Sequence, residues 1–128
     1  MTSFDAKEID ETKMLLYRQS ARQRAAQKNE RLQARYELAI SIAEQAAKIL
    51  KQEFQAQKVV LFGSMVAWQN THLNSDIDLA VWGMPEDSIY KAVARLISLD
   101  NRIKIDLVLA KTVDPNLLAA IEGAHVEL

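Results

Sequence analysis

The chain has 128 residues, with 16 Lys and Arg against 17 Asp and Glu, no cysteine, three glycines and two prolines. That length suits one domain with a real core, and the lack of cysteine excludes disulfide frameworks, thiolate zinc sites and cysteine nucleophiles. Apolar runs such as Val59 to Phe62 and Leu79 to Trp82 fall far short of the roughly 18 residues of a membrane span. The acidic opening stretch MTSFDAKEIDE lacks the apolar segment of a secretory signal, so a cytoplasmic protein without membrane attachment is expected.

Charge is distributed unevenly along this sequence. Residues 1–12 sum to −3, residues 13–35 to +6 and residues 36–128 to −4, so a basic block stands between two acidic ones, an asymmetry that bears on partners. No Gly precedes Gly63 and no Pro precedes Pro85, which leaves the first half free of strong helix breakers. From Leu32, the residues Tyr36, Ala39, Ile40, Ala43, Ala47, Leu50 and Phe54 form one stripe at 3.6 residues per turn. Upstream the stripe lapses at Arg18, Arg22 and Asn29, and roughly residues 7–30 read as a second, more exposed helix. Were the two continuous, the helix would reach about 70 Å at 1.5 Å per residue; a bend or a partner is therefore expected.

Beyond Lys58 the period shortens to two. Val59–Phe62 reads as a buried strand ending at Gly63, and Asp76–Trp82 and Ile103–Leu109 alternate as half-buried strands. Between them, Ile89, Val93, Leu96 and Ile97 carry helical spacing over residues 86–99, opened by Pro85 and acidic residues. Asp114-Pro115 is expected to cap a last helix that ends near Gly123, with His125–Leu128 as a short edge strand.

Alternation sets Asp76 and Asp78 on one strand face and Ile77, Leu79 and Val81 on the other. If the strand holding Asp106 lies alongside with its apolar face turned the same way, all three carboxylates share one side. Carboxylates that close repel one another, and a cation relieves the repulsion. Oxygen donors without nearby His or Cys favour Mg²⁺ or Mn²⁺ over zinc. Acids at strand ends also serve simply as solvated or loop-capping groups, and the pair alone leaves both readings open. Gly63-Ser64, directly after a strand, adds a turn where backbone N–H groups and a hydroxyl can approach a phosphate. It is not a Walker A loop, since no Lys-Ser/Thr follows.

Leu61-Phe62-Gly63-Ser64, followed after eleven residues by Asp76-Ile77-Asp78-Leu79 and later by Lys104-Ile105-Asp106-Leu107-Val108, resembles the signature of the DNA polymerase beta-like nucleotidyltransferase superfamily, and within it the minimal nucleotidyltransferases. The resemblance spans roughly residues 35–128. It implies an α/β (α+β) fold with a small mixed sheet packed against helices, here preceded by a long N-terminal helical extension. The division expected is a basic helical extension over residues 1–30 and a nucleotidyltransferase domain over residues 31–128. The resemblance further implies that Asp76, Asp78 and Asp106 are catalytic and hold two Mg²⁺ ions, with Mn²⁺ as substitute. Gly63 and Ser64 would grip the β- and γ-phosphates of ATP or another nucleoside triphosphate. The implied reaction joins a nucleoside monophosphate to an acceptor hydroxyl. Small members of the group are often antitoxins that adenylylate a tyrosine of a helical ribonuclease toxin, the leading role expected here.

One departure stands out. The family commonly continues Gly-Ser with Arg-x-Arg-Gly, whereas this chain has Met65-Val66-Ala67-Trp68. Lys104, or arginines within residues 18–35, are the candidates to supply the missing charge. The alternative is a degenerate member that acts by binding a partner protein or RNA, the latter through residues 13–35, with homo-oligomer formation through the interrupted helix also open. Trp68 and Trp82 are read as packing residues, His72 and His125 as surface residues, and Ser75 as a residue that orders the loop before Asp76.

Overall fold

The computed structural model describes residues 6–128, with side chains from Asp10 onward. The beginning of the acidic stretch, including Asp5, Lys7 and Glu8, lies outside the described side chains. The chain divides into two compact units, Met1–Arg31 and Leu32–Leu128. The long N-terminal helical extension expected over roughly residues 7–30 is present and is assigned as one helix, α1, with the stripe that follows it, from Ala6 to Glu53. Its composition explains the continuity: no Gly or Pro interrupts it, and Ala, Gln, Glu, Lys, Arg and Leu dominate. In the first unit, residues 10–31 are exposed apart from Ala21, and Met14, Leu15, Leu16 and Tyr17 stand more than half exposed.

In the second unit, the remaining part of α1 buries Ala39, Ile42, Ala43, Ala46, Ala47 and Leu50. The predicted stripe is therefore rotated slightly: Ile42 and Ala46 are central, while Ile40 and Phe54 pack at its margin. Four alanines on one face let backbone and sheet approach closely. The helix stops without glycine, because Gln55 takes a left-handed conformation (φ 62°) and Ala56 N–H reaches back to the Leu50 carbonyl at 3.0 Å.

Four strands follow the sheet order β3-β2-β1-β4. They are β1 (Lys58–Phe62), β2 (Ile77–Trp82), β3 (Ile105–Leu109) and β4 (Val126–Glu127). β1 pairs antiparallel with both β2 and β4, whereas β2 and β3 run parallel, joined by helix α2 (Ile89–Ile97). This is the mixed sheet with helices that the sequence implied. Helix α3 (Pro115–Gly123) begins as expected, with Asp114 accepting a hydrogen bond from Asn116 N–H at 2.7 Å and Pro115 in the first turn.

Period-two alternation splits the sheet into two faces. Val59, Leu61, Ile77, Leu79 and Val81 join the α1 residues, Ala92 and Leu96 of α2, and Ile103 in the main core. Val60, Ala80 and Ile121 of α3 form a smaller cluster with Phe62, Trp82 and Val108 on the other face. Asp78 and Asp106 belong by alternation to this second face. Burying them in the main core would have stranded carboxylates in an apolar layer.

Candidate active site

The parallel register of β2 and β3 sets Asp78 directly opposite Asp106. Asp76 lies two residues before Asp78, just ahead of β2, where Ile77 N–H donates to the Lys104 carbonyl at 2.9 Å and so ties the start of β2 to the residues leading into β3. Across the antiparallel pair, Phe62 stands opposite Asp78. The next residue, Gly63, turns the chain with φ 78°. A Cβ at Gly63 would collide with Oδ2 of Asp78; position 63 thus needs glycine for both its φ and its proximity to the carboxylate.

The electrostatics follow from this crowding. Burial, then the charges of Asp106 and Asp76, push the Asp78 carboxyl up to about 6 from its ordinary 3.8, while Lys104 pulls the other way. Lys104 Nζ pairs with Asp106 Oδ1 at 3.2 Å on the open side of the site. Being more exposed than buried, that pair contributes little to stability. It does place a cation at the third acid.

Among the described residues, no three His, Cys, Asp or Glu side chains are gathered closely enough to cage a metal unaided. The acids that are present still fit a hard divalent cation. Burial, then Asp106 and Asp76, raise the pKa of Asp78, a cost that such a charge would relieve, and the missing side chain of Gly63 leaves room for the Asp78 carboxylate to sit against the turn.

Ser64 belongs to a buried polar chain. Its hydroxyl donates to Ser75 Oγ at 2.9 Å, Ser75 Oγ also accepts His72 N–H at 2.9 Å, and Ser75 is only 2% exposed. Thr71, also buried, donates from Oγ1 to the Ala67 carbonyl at 3.2 Å and more weakly to the Ser64 carbonyl at 3.4 Å. The chain leaves the Gly63-Ser64 turn through two short 3₁₀ segments, Gly63–Val66 and Trp68–Asn70. They bury Met65 rather than presenting it, so an apolar residue fills the place read in the sequence as a lost arginine.

Arg35 of α1 enters this network from the side. Its Nη2 donates to the Ser75 carbonyl at 2.8 Å, and its Nε is buried without an acceptor. The sequence pointed to the arginines of residues 18–35 as a group; the contact with Ser75, forty residues away, has no local signature. Of the two tryptophans, Trp82 packs in the smaller cluster, with Lys58 Nζ 4.8 Å from its ring centroid. His125 Nδ1 lies 3.0 Å from the Ile121 carbonyl at the end of α3, away from the acids in sequence and element.

Comparison with known proteins bears on this arrangement. Residues 44–127 match the family model described as polymerase beta, nucleotidyltransferase. No curated protein matches the chain. Among solved structures, a toxin–antitoxin crystallised with AMP-PNP is 24% identical, with a TM-score of 0.54 over 66% of this chain and 70% of that one. A tri-AMPylated Shewanella oneidensis HEPN toxin in complex with MNT antitoxin is 19% identical, with a TM-score of 0.53 over 70% of each chain. A toxin–antitoxin MntA–HepT structure gives 21% identity and a TM-score of 0.51 over 67% of this chain and 68% of that one. At these identities the likeness establishes a shared fold. Among the described residues, no helix is long and apolar enough to cross a membrane.

Proposed function

Because the chain belongs to the polymerase beta nucleotidyltransferase family, we propose that it transfers AMP from ATP to a hydroxyl of a partner protein, a tyrosine of a helical ribonuclease toxin, and so acts as an antitoxin. The observation that carries this reading is the register that sets Asp78 opposite Asp106 and beside the side-chain-free Gly63. The choice of acceptor and nucleotide draws on the structural neighbours, one crystallised with AMP-PNP and another holding an AMPylated HEPN toxin. Residues 31–128 would form the transferase, and residues 1–30 an accessory basic helix.

In this mechanism Asp76, Asp78 and Asp106 would hold Mg²⁺, or Mn²⁺ in its place, together with oxygens of the bound triphosphate. When bound, the metal neutralises the triphosphate and stabilises the attacking and leaving oxygens. The Ser64 hydroxyl, its one proton turned from Ser75 towards phosphate while Ser75 O–H donates back to Ser64 Oγ, and the backbone at Gly63 would hold the terminal phosphates. The acceptor oxygen attacks the α-phosphorus, the bond from that phosphorus to the bridging oxygen breaks, and pyrophosphate departs with the electron pair. Asp106 would accept the proton of the attacking hydroxyl once Lys104, 3.2 Å from Oδ1, swings away from it. Ordering of the loop through Ser75 keeps the phosphate donors in place before substrate arrives.

A second reading is favoured by Met65, buried where the turn would otherwise offer a cation, and by Lys104, which engages Asp106. On that reading the chain keeps the fold and neutralises a partner by binding alone. Incubation of the full chain and a co-purified partner with α-labelled ATP and Mg²⁺ separates the two. Transfer reads out as label and as a mass gain of one AMP on the partner. Asp76→Ala and Asp78→Ala should reduce the rate by at least about 10³-fold, the equivalent of several kcal/mol of transition-state stabilisation. A partner that binds tightly yet never gains AMP would sink the enzymatic reading.

A further inference from the structure

We infer that Arg35 is a positioning residue for the phosphate-binding turn, an inference that rests on reading Gly63-Ser64 as that turn. The connection is a short chain of contacts. Arg35 Nη2 holds the Ser75 carbonyl at 2.8 Å, and Ser75 Oγ holds both the Ser64 hydroxyl and the His72 N–H at 2.9 Å. Ser75 immediately precedes Asp76. One guanidinium therefore sits behind both the hydroxyl that would meet phosphate and the backbone that leads into the acids.

The buried, unpartnered Nε of Arg35 sharpens the point. An arginine selected for stability would have its donors satisfied, because an orphaned buried N–H of a charged group is unfavourable. Here one donor is engaged and a second is left without an acceptor, on a side chain that α1 carries to the loop. A long apolar side chain such as Met would fill much of the same volume without an orphaned donor. The described bond of this guanidinium goes to the loop carbonyl of Ser75, so order in that loop is what it supplies. Arg35 touches Ser75 and not the acids in any described contact, so its influence passes through Ser75 to Ser64.

This assignment makes stability and nucleotide handling move separately. Arg35→Met should leave the urea unfolding midpoint of the full chain unchanged or slightly raised. It should raise KM for ATP about tenfold, with kcat within about twofold, as outer contacts to a binding group typically do. Arg35→Lys should recover part of the loss by donating to the same carbonyl. Ser75→Ala should give a similar KM, and the double variant no further loss, because both act through one chain. Amide hydrogen exchange over residues 72–76 should accelerate in Arg35→Met without nucleotide present. Unchanged exchange there, additive losses in the double variant, or a KM rise matched by loss of stability would each overturn the assignment. A wild-type chain that neither binds nor uses ATP would instead sink the reading of the turn, with the exchange measurement still deciding whether Arg35 orders it.

Discussion

The two units of this chain share a helix yet differ in what their residues touch. In Met1–Arg31 nearly every described residue faces water, including four consecutive large apolar ones from Met14 to Tyr17. In Leu32–Leu128 the same type of sequence, rich in Ala, Gln, Glu and Lys, buries six residues of the helix against a sheet. Helix propensity accounts for both equally, so propensity cannot be what distinguishes them. The distinction is the spacing of apolar residues, regular at three and four in one unit and bunched in the other, since most helical stability in proteins comes from tertiary packing. The bunched apolar residues and the basic residues from Lys13 to Arg31 stay exposed, whereas Arg35, at the end of the same basic block, is held at Ser75.

Substitution at matched leucines should expose that contrast most strongly. Leu50→Ala is expected to destabilise the second unit by about 2–5 kcal/mol, whereas Leu15→Ala should change urea unfolding of the dilute protein by no more than about 0.5 kcal/mol. Comparable losses at both sites would show that Leu15 is buried in solution. Next in size, Gly63→Ala should lower AMP transfer about a hundredfold, because its Cβ would displace the Asp78 carboxylate and its φ of 78° disfavours any side chain. Retained transfer would remove Gly63 from the site. Asp114→Ala, which deletes the side-chain acceptor at the start of α3, should cost about 1 kcal/mol in urea unfolding with little change in ATP affinity.

The smallest expected effect is one of pH. Asp78 titrates at about 6 in the folded chain, above its unfolded value, so the fold favours its protonated form. Its contribution to stability is complete below about pH 4 and is lost as pH rises through about 6. Unfolding of wild type and Asp78→Asn in EDTA should therefore diverge over that window, the wild type falling behind as pH rises, and Mg²⁺ should narrow the gap. Parallel curves would mean that burial and the neighbouring acids do not raise the Asp78 carboxyl.

Where local pattern decided the outcome, the sequence was readable. Alternation in Asp76–Trp82 and Ile103–Leu109 put Asp78 and Asp106 on the polar sides of their strands, because a strand has only two sides, and the pairing of β2 with β3 brought those sides together. Asp114-Pro115 marked its helix start through chemistry confined to three residues. Gln55 was not readable as a helix stop, since a left-handed non-glycine depends on the packing that follows it. Nor was the central place of Ile42 and Ala46, which depends on the angle at which α1 meets the sheet. The contact from Arg35 to Ser75 was the least legible, being a long-range pairing of residues each unremarkable in its own neighbourhood.

The topology also closes the two halves of the site over different lengths of chain. β1 and β2 are consecutive antiparallel strands, whereas β2 meets β3 only after the chain has passed through α2 and crossed back in parallel. Closing that longer connection is the entropically slower event, as parallel pairings are in general. Gly63 and Asp78 can thus be neighbours in an early hairpin while Asp106 is still unplaced. A chain stalled at that stage would hold an assembled turn without its third acid, and catalytic competence would wait on the parallel pair.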